Sequence, residues 1–541
     1  MDAQGVNGSF RRLGVLKKDW QNHFMRDVPI APSLIHKDNL PEYLACDMPD
    51  SVTVPVVLTP FLGIDPYETA RKKWEMSRDR HISIFLGDDS DHVRHRVFAF
   101  LNSEYNKLWK TKFKPMMTME EAVNVPIGSI GLNELDLATS PGNSFLIPFK
   151  RRTGRHLGKK NFVNRDNDTL FISPLMRDVW NAHVERALRG DIPILLCYHT
   201  LKVERKETGI RIFLNLDFVF SLLVKSVFGG FVESSVSCHV VGMSKVGINP
   251  HGVDPDFLYR QLFQWDGCSV LYVDAKRSDA SMTVDTMWDV LHNISRFLDL
   301  KYRAQYSQVA CDTARAIRNY LIEGICFPYH CDEANMYAVD GGLASGLWGT
   351  ANLNCEFYKY QFYTTLYVYL LRYVEGMANV DLNQFFGDHV RAIFYGDDMV
   401  ACFSPELRTI VDPERFGELY LSMFNIQLVM GDKKPGALRY VEPSVCDFLK
   451  RKFVRHYGVW RMALNKSVLW DMVQWIHTKF GTEQENTIVN VDAALREWFN
   501  WGRSEFENAL KFLNECLLSV GCRESHLTFD GLLEDFKANI C

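Results

Sequence analysis

At 541 residues the chain has room for two to four domains of about 150 residues each and for a large core. Its 61 basic and 66 acidic residues leave a net charge of −5, which excludes a uniformly polybasic nucleic-acid coat but not a basic channel on one face. Thirteen cysteines, an odd number with no Cys-x-x-Cys pair, argue against a disulfide framework or zinc ribbon and for a reducing compartment.

The N-terminus shows no apolar segment, so no signal peptide is read there. Its first forty residues mix polar and apolar types with scattered basics, among them Arg11, Arg12, Lys17 and Lys18. From Ser90 to Phe113, the spacing of Val93, Val97, Phe98, Leu101, Tyr105 and Leu108 predicts an amphipathic helix. Basic residues then cluster at Lys150, Arg151, Arg152 and Arg155, and again from Lys202 to Arg211. The most membrane-like stretch, Phe218 to Val232, is short and broken by Lys225, so no transmembrane helix is expected. Val270 to Val273 reads as a strand ending at Asp274. Leu347 to Val374, aromatic-rich and without Gly or Pro after Gly349, reads as a buried helix. Ile393–Tyr395 and Met399–Ala401 flank Gly396-Asp397-Asp398 as a hairpin with an acidic turn. Two helical stretches follow Trp460, at Val468–Phe480 and Asp492–Val520. No repeat or Pro/Gly/Ser-rich linker divides the chain, so its parts are expected to share one interwoven core.

Two carboxylate clusters stand at strand ends: Asp274 with Asp279, and Asp397 with Asp398. Without a His/Cys cluster nearby, they suit hard divalent cations, in particular Mg²⁺. Two such ions about 4 Å apart would activate an attacking hydroxyl and stabilise a leaving pyrophosphate. Gly87-Asp88-Asp89 resembles Gly396-Asp397-Asp398 when read alone, but Ser90 and a periodic helix follow it. The first copy is therefore read as a loop feeding a helix N-terminus.

The second copy has company. Asp274-Ala-Lys-Arg-Ser-Asp279, then Ser345-Gly346-x₃-Thr350-x₃-Asn354 after Gly341-Gly342, then Tyr395-Gly396-Asp397-Asp398, occur in that order. They resemble the motifs of RNA-dependent RNA polymerases of positive-strand viruses, especially the picornavirus-like group. Phe448-Leu449-Lys450-Arg451 resembles that family's primer-grip hairpin, and Leu137 to Gly142 the loop that admits the template. Departures are Ala344, where the family often has Pro, the Lys276-Arg277 pair, and a basic stretch from Lys202 to Arg211 several residues shorter than the picornavirus one.

The resemblance implies an α+β right-hand polymerase with fingers, a palm on an antiparallel sheet, and a helical thumb. Fingers would span 1–226 and 281–340, palm 227–280 and 341–455, and thumb 456–541. It implies catalytic and metal roles for Asp274, Asp397 and Asp398, with Mg²⁺ as cofactor and Mn²⁺ as the alternative. Lys433 or Lys434 would be the general acid, the two being left open. Lys202, Arg211, Asp279, Ser345, Gly346, Thr350 and Asn354 would bind the nucleotide. Thr139, Ser140, Gly142, Lys450 and Arg451 would contact RNA. Expected partners are template and nascent RNA, rNTPs, a small tyrosine-bearing protein primer and other viral replication proteins. The implied place is the host cytoplasm at membrane-associated replication sites. The competing readings are a reverse transcriptase, which would exclude a 2′-hydroxyl with a bulky residue near Asp279, and a non-catalytic RNA-binding protein.

Overall fold

The chain alternates apolar strands with capped amphipathic helices, and a computed structural model shows how they assemble. It describes residues 10–15, 30–55, 90–124, 135, 159–166, 169–202, 205–206, 211–276, 278–332, 335–432, 436–478 and 481–538. β1 (Phe10–Val15) is followed by α1 (Ser90–Leu108), whose Val93, Val97, Leu101 and Tyr105 are buried at helical spacing. Next come β2 (Leu196–Lys202), β3 (Arg211–Asn215) and α2 (Phe218–Ser237). β4 (Val270–Ala275) leads to α3 (Val284–Arg303) and α4 (Gln308–Cys326), started by Thr283 and Ser307 hydroxyls that accept from backbone amides. After β5 (Tyr329–Cys331) and β6 (Asn335–Val339), α5 (Thr350–Tyr373) runs through the interior. β7 (Val390–Tyr395), β8 (Asp398–Phe403), α6 (Pro413–Phe424) and β9 (Leu428–Met430) complete the middle of the chain. β10 (Asp447–Phe448), β11 (Arg451–His456) and β12 (Val459–Leu464) precede four helices: α7 (Lys466–Gln474), α8 (Glu483–Trp498), α9 (Arg503–Ser519) and α10 (Phe529–Ala538).

Three sheets organise these elements. One has the order β1-β6-β5-β2-β3, with β5 and β2 parallel. The second, β7-β8-β4-β9, is wholly antiparallel, as expected for the palm. The third is the antiparallel ribbon β10-β11-β12. One core cluster reaches from Val93 to Leu428 across sheets and helices, so the single interwoven core expected holds for that part of the chain and not for the C-terminal helices. A second gathers α7 to α10 with Ile35, Leu40, Leu44 and Met48. The twelve described cysteines carry free thiols.

Several predicted boundaries move. The central helix starts at Thr350, because Gly349 (φ +78°) turns the chain and leaves Leu347 and Trp348 in the preceding loop. Helix α7 stops at Gln474, and Trp475–His477 becomes a strand paired with Ile30–Pro32. The stretch from Asp492 to Val520 is two helices broken at Gly502 (φ +98°), where the His456 ring fills the space a Cβ would occupy. Residues 30–53 pack on the C-terminal helices. The buried Asp471 carboxylate fastens them there, accepting from Ser51 Oγ (2.7 Å), Val52 N (3.0 Å) and Thr53 Oγ1 (2.8 Å). α2 is longer than its apolar run suggested, and its length and composition would suffice to cross a membrane. It is a core helix here, 94% of its apolar window being buried inside the protein. Lys225 is accommodated by donating to Ala122 O (2.6 Å).

Candidate active site

The antiparallel sheet brings the two acidic motifs together. Met399 on β8 faces Val273 on β4, so the same register carried one step further sets Asp398 beside Asp274. Directly opposed residues of such a pair stand roughly 4.5–5.5 Å apart at Cα, with side chains on one face. Tyr395 pairs with Asp398, leaving Gly396 and Asp397 as a two-residue turn. Gly396 has φ +62° and Asp397 does not share that sign, the pattern of a type II′ hairpin turn, which favours glycine first. All three carboxylates are half-buried at this strand end. Two buried tyrosines register their fields. Tyr358 is pushed well above its ordinary value by burial first, then by Asp397 and Asp274. Tyr272, on β4, is raised by burial, then by Asp398 and Asp447, with Asp274 contributing.

Helix α5 is the element against which the other motifs are set. Tyr358, one turn after Asn354, donates from its hydroxyl to Ser278 Oγ (2.7 Å), next to Asp279. Gln361 donates to Thr286 Oγ1 (3.1 Å) and accepts from Tyr420 OH (2.6 Å), tying α5 to α3 and α6. Cys355 Sγ accepts from Gly396 N (3.2 Å) and approaches Phe394 O at 3.5 Å, directly behind the acidic turn. Burial pushes that thiol up to about 11, which keeps it protonated as a donor.

Before α5, Thr350 Oγ1 donates to Leu347 O (2.5 Å), closing the loop that carries Ser345 and Gly346. Ser345 Oγ accepts from Leu214 N on β3 (3.0 Å). A Cβ at Gly346 would lie 2.3 Å from Leu214 O, so it is the β3 backbone, rather than a ligand, that requires glycine there. β3 begins at Arg211, the cross-strand partner of Lys202. The loop is thereby bonded to the strand that starts at Arg211, one of the predicted nucleotide-binding residues.

Asn354 is half-buried and makes no hydrogen bond among the described residues, so its amide remains available to a ligand. Lys450 is exposed in the β10–β11 turn, where Leu449 and Lys450 both have φ +58°. Arg451 is engaged elsewhere: its guanidinium donates to Glu497 on α8 (2.7 and 2.6 Å) and to Met462 O (3.0 Å). For Lys202, Arg211 and Asp279 the backbone alone is described. Thr139, Ser140, Gly142, Lys433, Lys434 and the first acidic copy at Gly87–Asp89 lie outside the described residues. Sequence reading missed the roles of Cys355 and Tyr358, both lying in a stretch read simply as a buried helix. The signal available was for Tyr358 alone, which lies four residues beyond Asn354 and so on the same face of the helix.

Among the described residues, no three His, Cys, Asp or Glu side chains enclose a metal by themselves. Mg²⁺ rarely needs such a cage, being held by one or two carboxylates while water and substrate phosphates complete its octahedron. An all-carboxylate strand end fits that ion.

Comparison with known proteins agrees with this geometry. Residues 91–517 match the family described as viral RNA-dependent RNA polymerase. The RNA1 polyprotein of Andean potato mottle virus is 26% identical over 295 residues, covering 53% of this chain and 38% of that protein. The genome polyprotein of Rice tungro spherical virus (strain Vt6) is 23% identical over 493 residues, covering 86% of this chain and 13% of that one. The chain thus spans well under half the length of these relatives. A solved structure, "Sicinivirus 3Dpol RNA dependent RNA polymerase", superposes with a TM-score of 0.73 at 15% identity, covering 96% of this chain and 97% of that one. That likeness is one of fold, the right-hand architecture.

Proposed function

The chain belongs to the viral RNA-dependent RNA polymerase family, and from that premise we propose that it copies an RNA template from ribonucleoside triphosphates to replicate a positive-strand genome. The observation that carries this reading is the convergence of Asp274, Asp397 and Asp398 at one strand end, with α5, the helix that carries Asn354, bonded behind the acidic turn through Cys355. Mg²⁺, or Mn²⁺ in its place, would be held by Asp274 and Asp397 with Asp398 in support, and when bound supplies activation of the attacking 3′-hydroxyl and neutralisation of the departing pyrophosphate.

The chain's own residues do the rest. Lys202 and Arg211 hold the triphosphate by charge-assisted hydrogen bonds. Lys433 or Lys434 gives a proton to the leaving pyrophosphate. Asp279, Ser345 and Asn354 bond the ribose 2′-hydroxyl, and Thr350 fixes the loop that presents Ser345. Lys450 meets the nascent strand from its exposed turn, and Arg451 holds that turn's ribbon to α8. Thr139, Ser140 and Gly142 line the template path. Fingers (1–226 and 281–340), palm (227–280 and 341–455) and thumb (456–541) divide this work, with residues 30–53 joining fingers to thumb. By the same reading the chain acts at cytoplasmic replication membranes, with a protein primer and other replication proteins as partners.

Primer extension on RNA and DNA templates, with rNTPs and dNTPs in separate arms, tests the proposal. RNA-templated rNTP incorporation that requires a divalent ion is the expected outcome. Preference for dNTPs would indicate a reverse transcriptase, and RNA binding without extension a non-catalytic protein.

A further inference from the structure

The acidic turn is held from two directions. On one side, Phe394 N donates to Met243 O (3.0 Å) and Lys245 N donates to Phe394 O (2.9 Å), which fixes β7 just before the turn. From behind, Cys355 bridges the turn's entrance with a single atom, Sγ, 3.2 Å from Gly396 N and 3.5 Å from Phe394 O. Gly396 N–H is the first amide inside the turn, and Asp397 follows immediately. A two-residue hairpin turn swings about its central peptides, and Asp397 moves with them. Cys355 is fully buried, so its thiol meets these backbone groups out of contact with bulk water. It also neighbours Asn354 on a helix bonded to the first acidic motif through Tyr358 and Ser278.

We propose that Cys355 is a positioning residue for nucleotidyl transfer, its thiol setting the orientation of the Tyr395–Gly396 peptide at the entrance of the turn and, through the turn, of the Asp397 carboxylate. It touches neither substrate nor metal and acts through the turn. This inference rests on the polymerase reading above and adds to it a residue outside the acidic and ribose-binding sets. A thiol is larger than a hydroxyl and a weaker hydrogen-bonding group, yet a serine keeps both the donor and the acceptor. Alanine keeps neither.

The test compares wild type, Cys355→Ser and Cys355→Ala in single-nucleotide incorporation, RNA binding, thermal unfolding and hydrogen exchange of peptides spanning Phe394–Asp398. Cys355→Ala should lower the maximal incorporation rate by roughly tenfold or more, with nucleotide and RNA affinity within about threefold of wild type. The Gly396 amide should exchange faster, and Cys355→Ser should recover most of the rate. An alanine variant with an unchanged rate, or with unchanged Gly396 exchange, overturns the proposal. Rate, RNA affinity and unfolding temperature falling together in both variants would reduce Cys355 to core packing and overturn it equally. A wild-type chain inactive on every template would instead overturn the polymerase reading on which the inference stands.

Discussion

Single carboxylates and amides carry the chemistry proposed here, and each makes a distinct demand. Asp397→Asn should remove most elongation while leaving RNA affinity within a few-fold, because catalysis needs the metal whereas binding rests on phosphate contacts. Asp88→Asn, in the first Gly-Asp-Asp copy, should leave turnover nearly unchanged. Extension and filter-binding assays on both variants check the pair, and the reverse pattern would refute the choice between the copies. Asn354 makes a second demand, since its half-buried amide has no hydrogen bond among the described residues. If it and Asp279 bond a 2′-hydroxyl, each lost partner costs about 1–3 kcal/mol, or roughly five- to a hundred-fold in sugar selectivity. Asn354→Ala and Asp279→Ala should therefore depress rNTP incorporation more than dNTP incorporation. An unchanged ratio in single-nucleotide kinetics would end the 2′-hydroxyl assignment without touching the metal assignment.

At the scale of elements, the loop before α5 works because β3 passes against it. Gly346→Ala would place a methyl group 2.3 Å from Leu214 O, an approach that forces the loop and strand apart. Overpacking of this kind costs about 1–3 kcal/mol, and here it would also displace Ser345, whose hydroxyl accepts from Leu214 N. The expected outcome is a lower unfolding temperature together with a raised KM for nucleotide. A variant as stable and as active as wild type would show that loop and strand separate freely. The β10–β11–β12 ribbon depends on another pairing, that of Arg451 with Glu497 on α8. Burial pushes the Glu497 carboxyl up, but hydrogen bonds from Arg451 and His251, with their charges, outweigh it and hold it at about 2. A carboxylate depressed in the folded state stabilises the fold above its unfolded value near 4.5 and loses that contribution as pH falls toward 2. The loss is on the order of 3 kcal/mol. Urea unfolding of wild type should therefore weaken over that window, and Glu497→Gln should flatten the dependence; parallel curves for the two would refute the assignment.

Across the whole molecule, the chain's first described segments tie distant parts together. β1 pairs with β6 near the middle of the sequence, while Ile30–Pro32 pairs with Trp475–His477 near its end. Residues 34–48 then join the apolar cluster of α7 to α10, and Asp471 gathers the backbone at 51–53. This bracing bears on function, because the C-terminal helices carry Glu497 and so hold the ribbon of the Lys450 turn, whose Phe448 and Phe453 share an apolar cluster with Tyr272, Ile393 and Val400 of the sheet that bears the aspartates. The buried group Glu104, Lys359 and Glu356, with Tyr105 OH donating to Glu356, makes a similar bond between α1 and α5. Ionic groups buried this deeply are stable only when every partner is present, so α1 and α5 are expected to hold one fixed arrangement.

Strand ends, the acidic hairpin and the long central helix were legible in the sequence, since each is set by local periodicity and turn chemistry within a few residues, while the order of the motifs was legible through the family resemblance. The same locality explains the elements that moved. Trp475–His477 is helical by pattern and a strand in fact, because its pairing partner at Ile30–Pro32 lies far away in sequence. The packing of residues 30–53 on the C-terminal helices was not legible, because nothing local reports contacts made more than four hundred residues away. Arg451 read as an RNA contact from its motif, yet its partner is a glutamate on α8 that no spacing rule connects to it. Gly346 was expected to yield to a ligand, and only the folded chain shows the strand that comes so close. Which residue types the chemistry needs is thus written along the chain, where propensity and motif act. Which atoms hold them in place is decided by packing between segments far apart, and sequence patterns carry no record of that proximity.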